Sequence, residues 1–392
     1  MVTAAYDFLS PPKIVFGWGR RREVGQRAPS LGRRALVVSG SRTLATSGAL
    51  DEITAALRED GAAVEQITSI SHEPEVADVD RAVKQLHEAQ AGPGDYLLAI
   101  GGGSAIDLAK AAAALVTNRA SHTVRDYLEG VGRGLKITEP PLPVLAMPTT
   151  GGTGAEATKN AVISCYDPLF KKSLRSELML PRVVLVDPEL TATLPPSATA
   201  WSGMDAITQL IESYLSRFAC PIPRALAVEG LRRALPALPE AVHHGQSREA
   251  REAMAHAALL SGMCLANSGL GLAHGVAAAL GVHARVTHGL ACAVMLPVAL
   301  RVNRPVREAE LARLARDTLG KAWSSDAAAA DAFIENIDEL AAAVGVPKRL
   351  SELGVRREQI ADLVAASRGN SMNGNPRRLD DAQLTELLTQ ML

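Results

Sequence analysis

The sequence predicts an α/β domain with a mainly parallel sheet followed by an all-helical domain, and three observations carry that expectation. First, short apolar or β-branched runs recur through the first half: "KIVFG" at 13, "RALVVSG" at 34, "VEQITSI" at 64, "DYLLAIGGG" at 95, "LPVLAMPTT" at 142 and "RVVLVDP" at 182. Several are near-continuous hydrophobic runs, the pattern of strands buried on both faces. Second, the segments between them, "SGALDEITAALREDG" and "VADVDRAVKQLHEAQAGPG", have helical periodicity and charged outer faces. Glycines near their ends are stop signals for a helix. Strand and helix in alternation specify a parallel sheet with helices against it. Third, the strand signal ends after "VDPELTATLPPSATA", and amphipathic Ala/Leu-rich segments broken by Pro or Gly continue to Leu392. The expected division is therefore 1–190 for the α/β part and 191–392 for the helical part.

The 392 residues fit two domains of ordinary size. Lys+Arg 41 against Asp+Glu 42 leaves a formal charge of -1, with no basic block or stripe, which argues against nucleic acid as a partner. "MVTAAYDFLSPPKIVFG" lacks the basic and apolar regions of a secretory leader, and no charge-free apolar run reaches the ~18 residues of a membrane span. A soluble, cytoplasmic protein with a small-molecule ligand is expected. Cys165, Cys220, Cys264 and Cys292 lie 55, 44 and 28 residues apart without a CxxC, so they read as free thiols, mostly buried.

Two turns after strands are rich in glycine. In "DYLLAIGGGSAIDLAKAAAAL", Gly101, Gly102, Gly103 and Ser104 stand between a strand and a helix expected to begin near Ala105. Bare backbone and the oriented amides of a helix start suit a pyrophosphate, while Ser104 as a plain N-cap is the ligand-free alternative. Three consecutive glycines exceed what a cap needs and favour the phosphate. In "LPVLAMPTTGGTGAEATKNAVIS", the hydroxyls of Thr149, Thr150 and Thr153 and the open backbone around them could hold a ribose or diphosphate. No GxGxxG follows the first strand, so the usual dinucleotide fingerprint is absent.

The helical half holds two polar constellations. "SGMDAITQLIES" sets Asp205 and Gln209 four residues apart on one helix face, a spacing equally compatible with a shared ion and with an ordinary amphipathic helix. "NSGLGLAHGVAAALGVHARVTHGLACAVMLPVAL" places His274, His283 and His288 among Gly, Ala and Leu. Such surroundings suit neutral imidazole ligands whose second nitrogen is fixed by an outer partner, and equally suit satisfied core histidines.

Taken in order, these segments resemble the iron-containing (group III) alcohol dehydrogenase family over nearly the whole chain. "GGGSAIDLAKA" is similar to the family's phosphate loop, "PTTGGTGAEAT" to its PTTxGTGSE-type loop and "LPRVVLVDPELTATLPP" to its interdomain passage. "GMDAITQLIESYLS" is similar to its GMDALTHxIEAY-type helix, and "LAHGVAAALGVHARVTHG" to its paired-histidine segment. The resemblance implies a Rossmann-like N-terminal domain and an all-helical C-terminal domain of the dehydroquinate synthase-like kind. It also implies a nicotinamide cofactor and a divalent metal in the cleft between them, and a homodimer is among the expected assemblies. It puts metal ligands at Asp205, His274 and His288, and cofactor contacts at the glycine turn with Asp107, at the threonine loop with Thr158 and Asn160, and at Lys171. The family's further ligand, a His four residues after the Asp, falls here on Gln209, and a family His near the nicotinamide falls on Ala278.

The departures narrow the expectations. Asp205, His274 and His288 make a carboxylate and two-imidazole set sufficient for zinc, with Gln209 a weak auxiliary ligand, so Zn2+ is expected over Fe2+. With Ala278 in place of a histidine, His283 or a water chain is the candidate proton donor. The second strand ends in Ser39, Gly40, Ser41 and Arg42 without the Asp that NAD-specific relatives commonly carry, so room at Gly40 and the Arg42 charge favour NADP(H) over NAD(H). The expected activity is reversible hydride transfer between NAD(P)H and a small aldehyde or ketone. Alternatives are a metal-free reductase like the maleylacetate reductases, a dehydroquinate-synthase-like lyase, and a non-catalytic cofactor-binding protein. The lyase would need basic residues near the histidines, where only Arg285 stands out.

Overall fold

The computed structural model describes residues 5–40, 44 and 46–392. The expectations at Ser41 and Arg42 lie outside the described residues. The chain divides into two compact units, one spanning Leu9–Thr150 with Gly154–Leu194, the other built on Pro195–Leu392 and taking in Gly151–Thr153.

The first unit is an α/β unit. Its strands are β1 (Ile14–Phe16), β2 (Arg34–Gly40), β3 (Ala63–Ile70), β4 (Asp95–Gly101), β5 (Val144–Pro148) and, after an excursion, β8 (Val183–Val186). They form one sheet in the order β1-β8-β5-β4-β2-β3, and every pairing is parallel. Strands β4 and β5 are buried along their whole length, which is why they read as unbroken apolar runs. Helices α1 (Ala49–Glu59), α2 (Val76–Glu88) and α3 (Gly103–Leu115) supply crossovers. After β2 the chain steps outward to β3, then returns to the other side of β2 to make β4, so the C-terminal ends of β2 and β4 lie side by side where the strand order reverses. In open parallel sheets that is where ligands bind.

A two-stranded antiparallel hairpin, β6 (Asn160–Tyr166) and β7 (Leu169–Arg175), was not foreseen. Its outer strand "LFKKSLR" buries only Phe170 and Leu174 and so lacks a clear apolar signal. The hairpin is tied to α3 through Lys110, whose fully buried ammonium donates to the carbonyls of Ala155 (2.8 Å) and Asn160 and to the Thr158 hydroxyl (2.9 Å), and pairs with Asp107 at 3.0 Å. A buried ammonium is tolerated only with such a complete set of acceptors.

The helical unit contains α4 (Pro196–Leu215), α5 (Pro221–His243), α6 (Arg248–Ser268), α7 (Leu272–His283), α8 (His288–Leu319) and α9 (Asp326–Ala343), followed by shorter helices to the C-terminus. Pro196 and Pro221 stand in the first turns of their helices, where a missing N–H costs nothing. One continuous apolar core joins them, with Met204, Ile207, Leu210, Ile211, Leu280 and Leu296 fully buried. Helix α8 has the length and hydropathy of a membrane span, yet 56% of its apolar window is buried inside the protein, as befits a core helix.

Candidate functional site

Three helices bring the polar residues of the second unit together. Along α4, Asp205, Gln209 and Glu212 stand at i, i+4 and i+7, on one face, and all three are buried. Helix α7 presents His274 in its first turn, and α8 begins with His288 and carries Cys292 one turn later. The spacing of α4 and α8 is set by backbone: a Cβ at Gly289 would lie 2.5 Å from the Trp201 carbonyl oxygen, so only glycine fits.

Ligand-type atoms of Asp205, His274, His288 and Cys292 all lie within 4.8 Å of one another. His274 Nε2 is 3.2 Å from Asp205 Oδ1, and His288 Nε2 is 3.9 Å from the same oxygen. The two imidazoles meet edge to face at 5.5 Å between centroids. On its other side His274 Nδ1 is 2.7 Å from Glu212 Oε2. A carboxylate on the far ring nitrogen fixes the tautomer and leaves Nε2 to a ligand, the arrangement typical of metal-binding histidines.

Glu212 is the residue sequence reasoning missed most plainly. Its carboxylate also accepts from the backbone N–H groups of Gly271 (3.0 Å), Ala273 (2.7 Å) and His274 (3.3 Å). It thereby caps α7, whose own N-cap, Gly271, offers no side chain. The signal was present as i+7 from Asp205, but its partners lie some sixty residues downstream. Cys292 was missed because only CxxC spacing was sought, whereas its i+4 relation to His288 puts both on one face.

The electrostatics of the cluster follow from its burial and its internal pairs. Burial alone would raise the Asp205 carboxyl, but His288 and His274 hold it below its ordinary value. Burial alone would lower the His274 imidazole, but Cys292, Asp205 and Glu212 around it hold it well above its ordinary value. Burial pushes the Cys292 thiol up to about 12. The Gln209 amide donates through Nε2 to the Thr153 carbonyl at 3.1 Å, while its Oε1 is buried without a partner. Two buried carboxylates, two imidazoles, a thiol and an orphaned amide oxygen are a donor set that fits a divalent ion.

His283 does not join this group. It ends α7, nine residues beyond His274 and so roughly 13 Å further along the helix axis. Its backbone carbonyl instead accepts from Gln359. The structure thus places His283, expected as a proton donor, apart from the Asp205, His274, His288 and Cys292 group. Ala278, on the His274 face, brings no titratable group.

In the first unit, the glycine turn joins the end of β4 to the start of α3, and its details differ from expectation. Helix α3 begins at Gly103, with Gly102 as an extended N-cap, so Ser104 lies inside the first turn and is not the cap. Gly101 has φ +152 and abuts Gly40, and a Cβ on either would come within 3 Å of the Ala105 side chain. The absence of a side chain at Gly40 is therefore explained by strand–helix packing, which corrects its reading as space left for a 2′-phosphate. Gly40→Ala should cost about 1–3 kcal/mol through overpacking against Ala105. Thermal unfolding of the variant checks this, and an unchanged midpoint would restore the original reading.

Of the other expected cofactor contacts, Thr149 is buried at the end of β5 and Thr150 lies against Gly102. Thr158 and Asp107 are committed to Lys110, with Asp107 also accepting from the Val162 amide at 2.9 Å. Asn160 Oδ1 is buried without a partner. Lys171 pairs with Glu73 at 2.6 Å. In the second unit, the loop glycine Gly152 is packed against Ser202 of α4.

The profile "Iron-containing alcohol dehydrogenase" matches residues 11–188, and "Fe-containing alcohol dehydrogenase family, C-terminal" matches residues 199–392. The chain is 32% identical over 390 residues to the NAD-dependent methanol dehydrogenase of Bacillus methanolicus, covering 98% of this chain and 100% of that protein. A crystal structure of 1,3-propanediol oxidoreductase superposes with a TM-score of 0.92 at 30% identity, covering 99% of this chain and 100% of the other. Sulfoacetaldehyde reductase from Bifidobacterium kashiwanohense, solved in complex with NAD+, gives a TM-score of 0.87 at 30% identity over 99% of each chain. With both halves matched and the full length of such relatives covered, the chain belongs to the iron-containing alcohol dehydrogenase family.

Proposed function

We propose that the protein is a metal-dependent, nicotinamide-linked alcohol dehydrogenase that interconverts a small alcohol and its aldehyde or ketone. The observation that carries this is the cluster of Asp205, His274 and His288, with Glu212 fixing the far nitrogen of His274. Relatives whose names specify methanol, 1,3-propanediol and sulfoacetaldehyde support a small substrate.

Asp205, His274 and His288 would hold the ion, with Gln209 beside them. When bound, such an ion would supply Lewis-acid polarisation of a carbonyl oxygen, and a nicotinamide would supply or accept the hydride. The chain's own residues do the positioning. Glu212 orients His274 and keeps its Nε2 toward Asp205. Thr153 holds the Gln209 amide so that one amide oxygen remains uncommitted. The turn Gly101–Gly103 offers bare amides at the start of α3, beside the reversal of strand order, for the cofactor pyrophosphate.

Two finer preferences belong to this proposal. The mixed nitrogen and oxygen donor set favours Zn2+ over Fe2+, because zinc tolerates such sets and position 209 offers an amide rather than an imidazole. The lack of a carboxylate across Ser39 to Arg42 favours NADP(H) over NAD(H), since an acid there would repel a 2′-phosphate.

The test is oxidation of NADPH and NADH across a panel of short aldehydes, using protein dialysed against chelator and the same protein reloaded with zinc or iron. Activity should appear with the reloaded protein, more with zinc and with NADPH. Full activity in the metal-free protein would replace this reading by a metal-free reductase, and none under any condition would remove the dehydrogenase assignment.

A further inference from the structure

We infer that Cys292 is a metal ligand, so that the ion rests in an Asp205, His274, His288 and Cys292 set, with Gln209 beside it. The inference rests on the proposed presence of a metal at this site.

Geometry supports it first. Cys292 Sγ is 3.7 Å from His288 Nε2, and no pair of donor atoms in the four-residue group exceeds 4.8 Å. A tetrahedral ion with bonds of ~2.3 Å to sulfur and ~2.0 Å to nitrogen or oxygen separates sulfur from nitrogen by about 3.5 Å, and nitrogen from oxygen by about 3.3 Å. The observed separations of 3.7, 3.2 and 3.9 Å scatter about those edges. Helix geometry supports it second. His288 and Cys292 are one turn apart on α8, so both face the same point without any bend in the helix.

Charge is the third argument. Three of the four are buried, with Asp205 at 1%, Cys292 at 0% and His274 at 4% exposure, while His288 is partly exposed. A divalent ion with the Asp205 carboxylate and one thiolate as direct ligands carries no net charge, while the Glu212 carboxylate outside them is held by three backbone N–H groups and His274 Nδ1, which limits the desolvation cost of the set. The Gln209 amide carries no charge and is already held by Thr153, so it cannot supply this balance. On coordination the thiol proton leaves to solvent and the sulfur electron pair goes to the metal; no oxidant or reductant is involved. A thiolate also shifts selection toward zinc and away from oxygen-preferring ions. Among the described residues, Cys292 alone of the four cysteines joins the group.

The test titrates the metal-free full-length protein with cobalt(II) alone, read by absorption spectroscopy with metal content measured on the same samples. Wild type should bind one equivalent and show an intense near-ultraviolet thiolate-to-cobalt charge-transfer band beside weaker visible bands. Cys292→Ser, close in size, should lose the charge-transfer band and weaken cobalt by more than the ~10–100-fold that loss of an outer partner costs. Gln209→Ala should keep the band. Stoichiometric cobalt with visible bands but no charge-transfer band in wild type, or a band that survives in Cys292→Ser, would overturn the assignment while leaving the metal reading intact. No cobalt bound by folded wild type would overturn both. Because the decisive spectrum is that of the wild type, a variant that fails to fold does not blunt the test.

Discussion

Glu212→Ala will destabilise the protein by about 3–5 kcal/mol, the scale of removing one partner from a buried charged network. The loss has two parts. Three backbone N–H groups at the start of α7 are left in the interior without an acceptor, each worth about 1–3 kcal/mol if nothing replaces the carboxylate. His274 Nδ1 loses its partner as well. Relaxation of the helix end and entry of water keep the total below the sum of these terms. Glu212→Gln, which keeps the shape and one acceptor oxygen, should fall between wild type and alanine. Urea unfolding checks both, read as a shift in midpoint at unchanged slope. If Glu212→Ala unfolds like wild type, the carboxylate is not what anchors α7, and the orientation of His274 needs another cause.

His274→Ala carries the second large effect. Removing this imidazole takes away a metal donor and leaves Asp205 and Glu212 facing each other across a cavity, both buried and both acidic. Turnover should fall by at least the ~10²–10³-fold associated with losing one group that stabilises a developing oxyanion. Bound metal, measured after controlled dialysis, should fall with it. His288→Ala should behave alike in metal content while costing less stability, because His288 is partly exposed and not bonded to Glu212. Retained turnover in metal-free His274→Ala would sink the metal-dependent reading directly.

How much of this was visible in the chain itself differs from element to element. Strands β2, β4 and β5 were legible because burial on both faces leaves them no choice but continuous apolar residues. The β6–β7 hairpin was not, since "LFKKSLR" alternates weakly and buries only Phe170 and Leu174, and the hairpin's tie to Lys110 lies on a distant helix. Asp205 and Gln209 were legible as neighbours on one face, because helical spacing is local information. The roles of Glu212 and Gly40 were hidden for the opposite reason. Each is decided by a partner far along the chain, the α7 amides for one and Ala105 for the other, and no local pattern reports that meeting. Cys292 stood one turn from a recognised histidine, so its neighbour was readable even though its chemistry was not sought.

The contact between Gly289 and the Trp201 carbonyl bears on how such a site can change over generations. Where helices are held apart by side chains, exchanging a donor residue alters the wedge between them and moves every other donor. Here main chain meets main chain, so the frame carrying Asp205 and His288 keeps its dimensions whatever side chains project from it. The side chain at 209 could be exchanged without shifting the remaining donors. Single substitutions among the donors can thus revise which ion the site prefers, while the close contact that keeps their frame belongs to Gly289, which is no ligand at all.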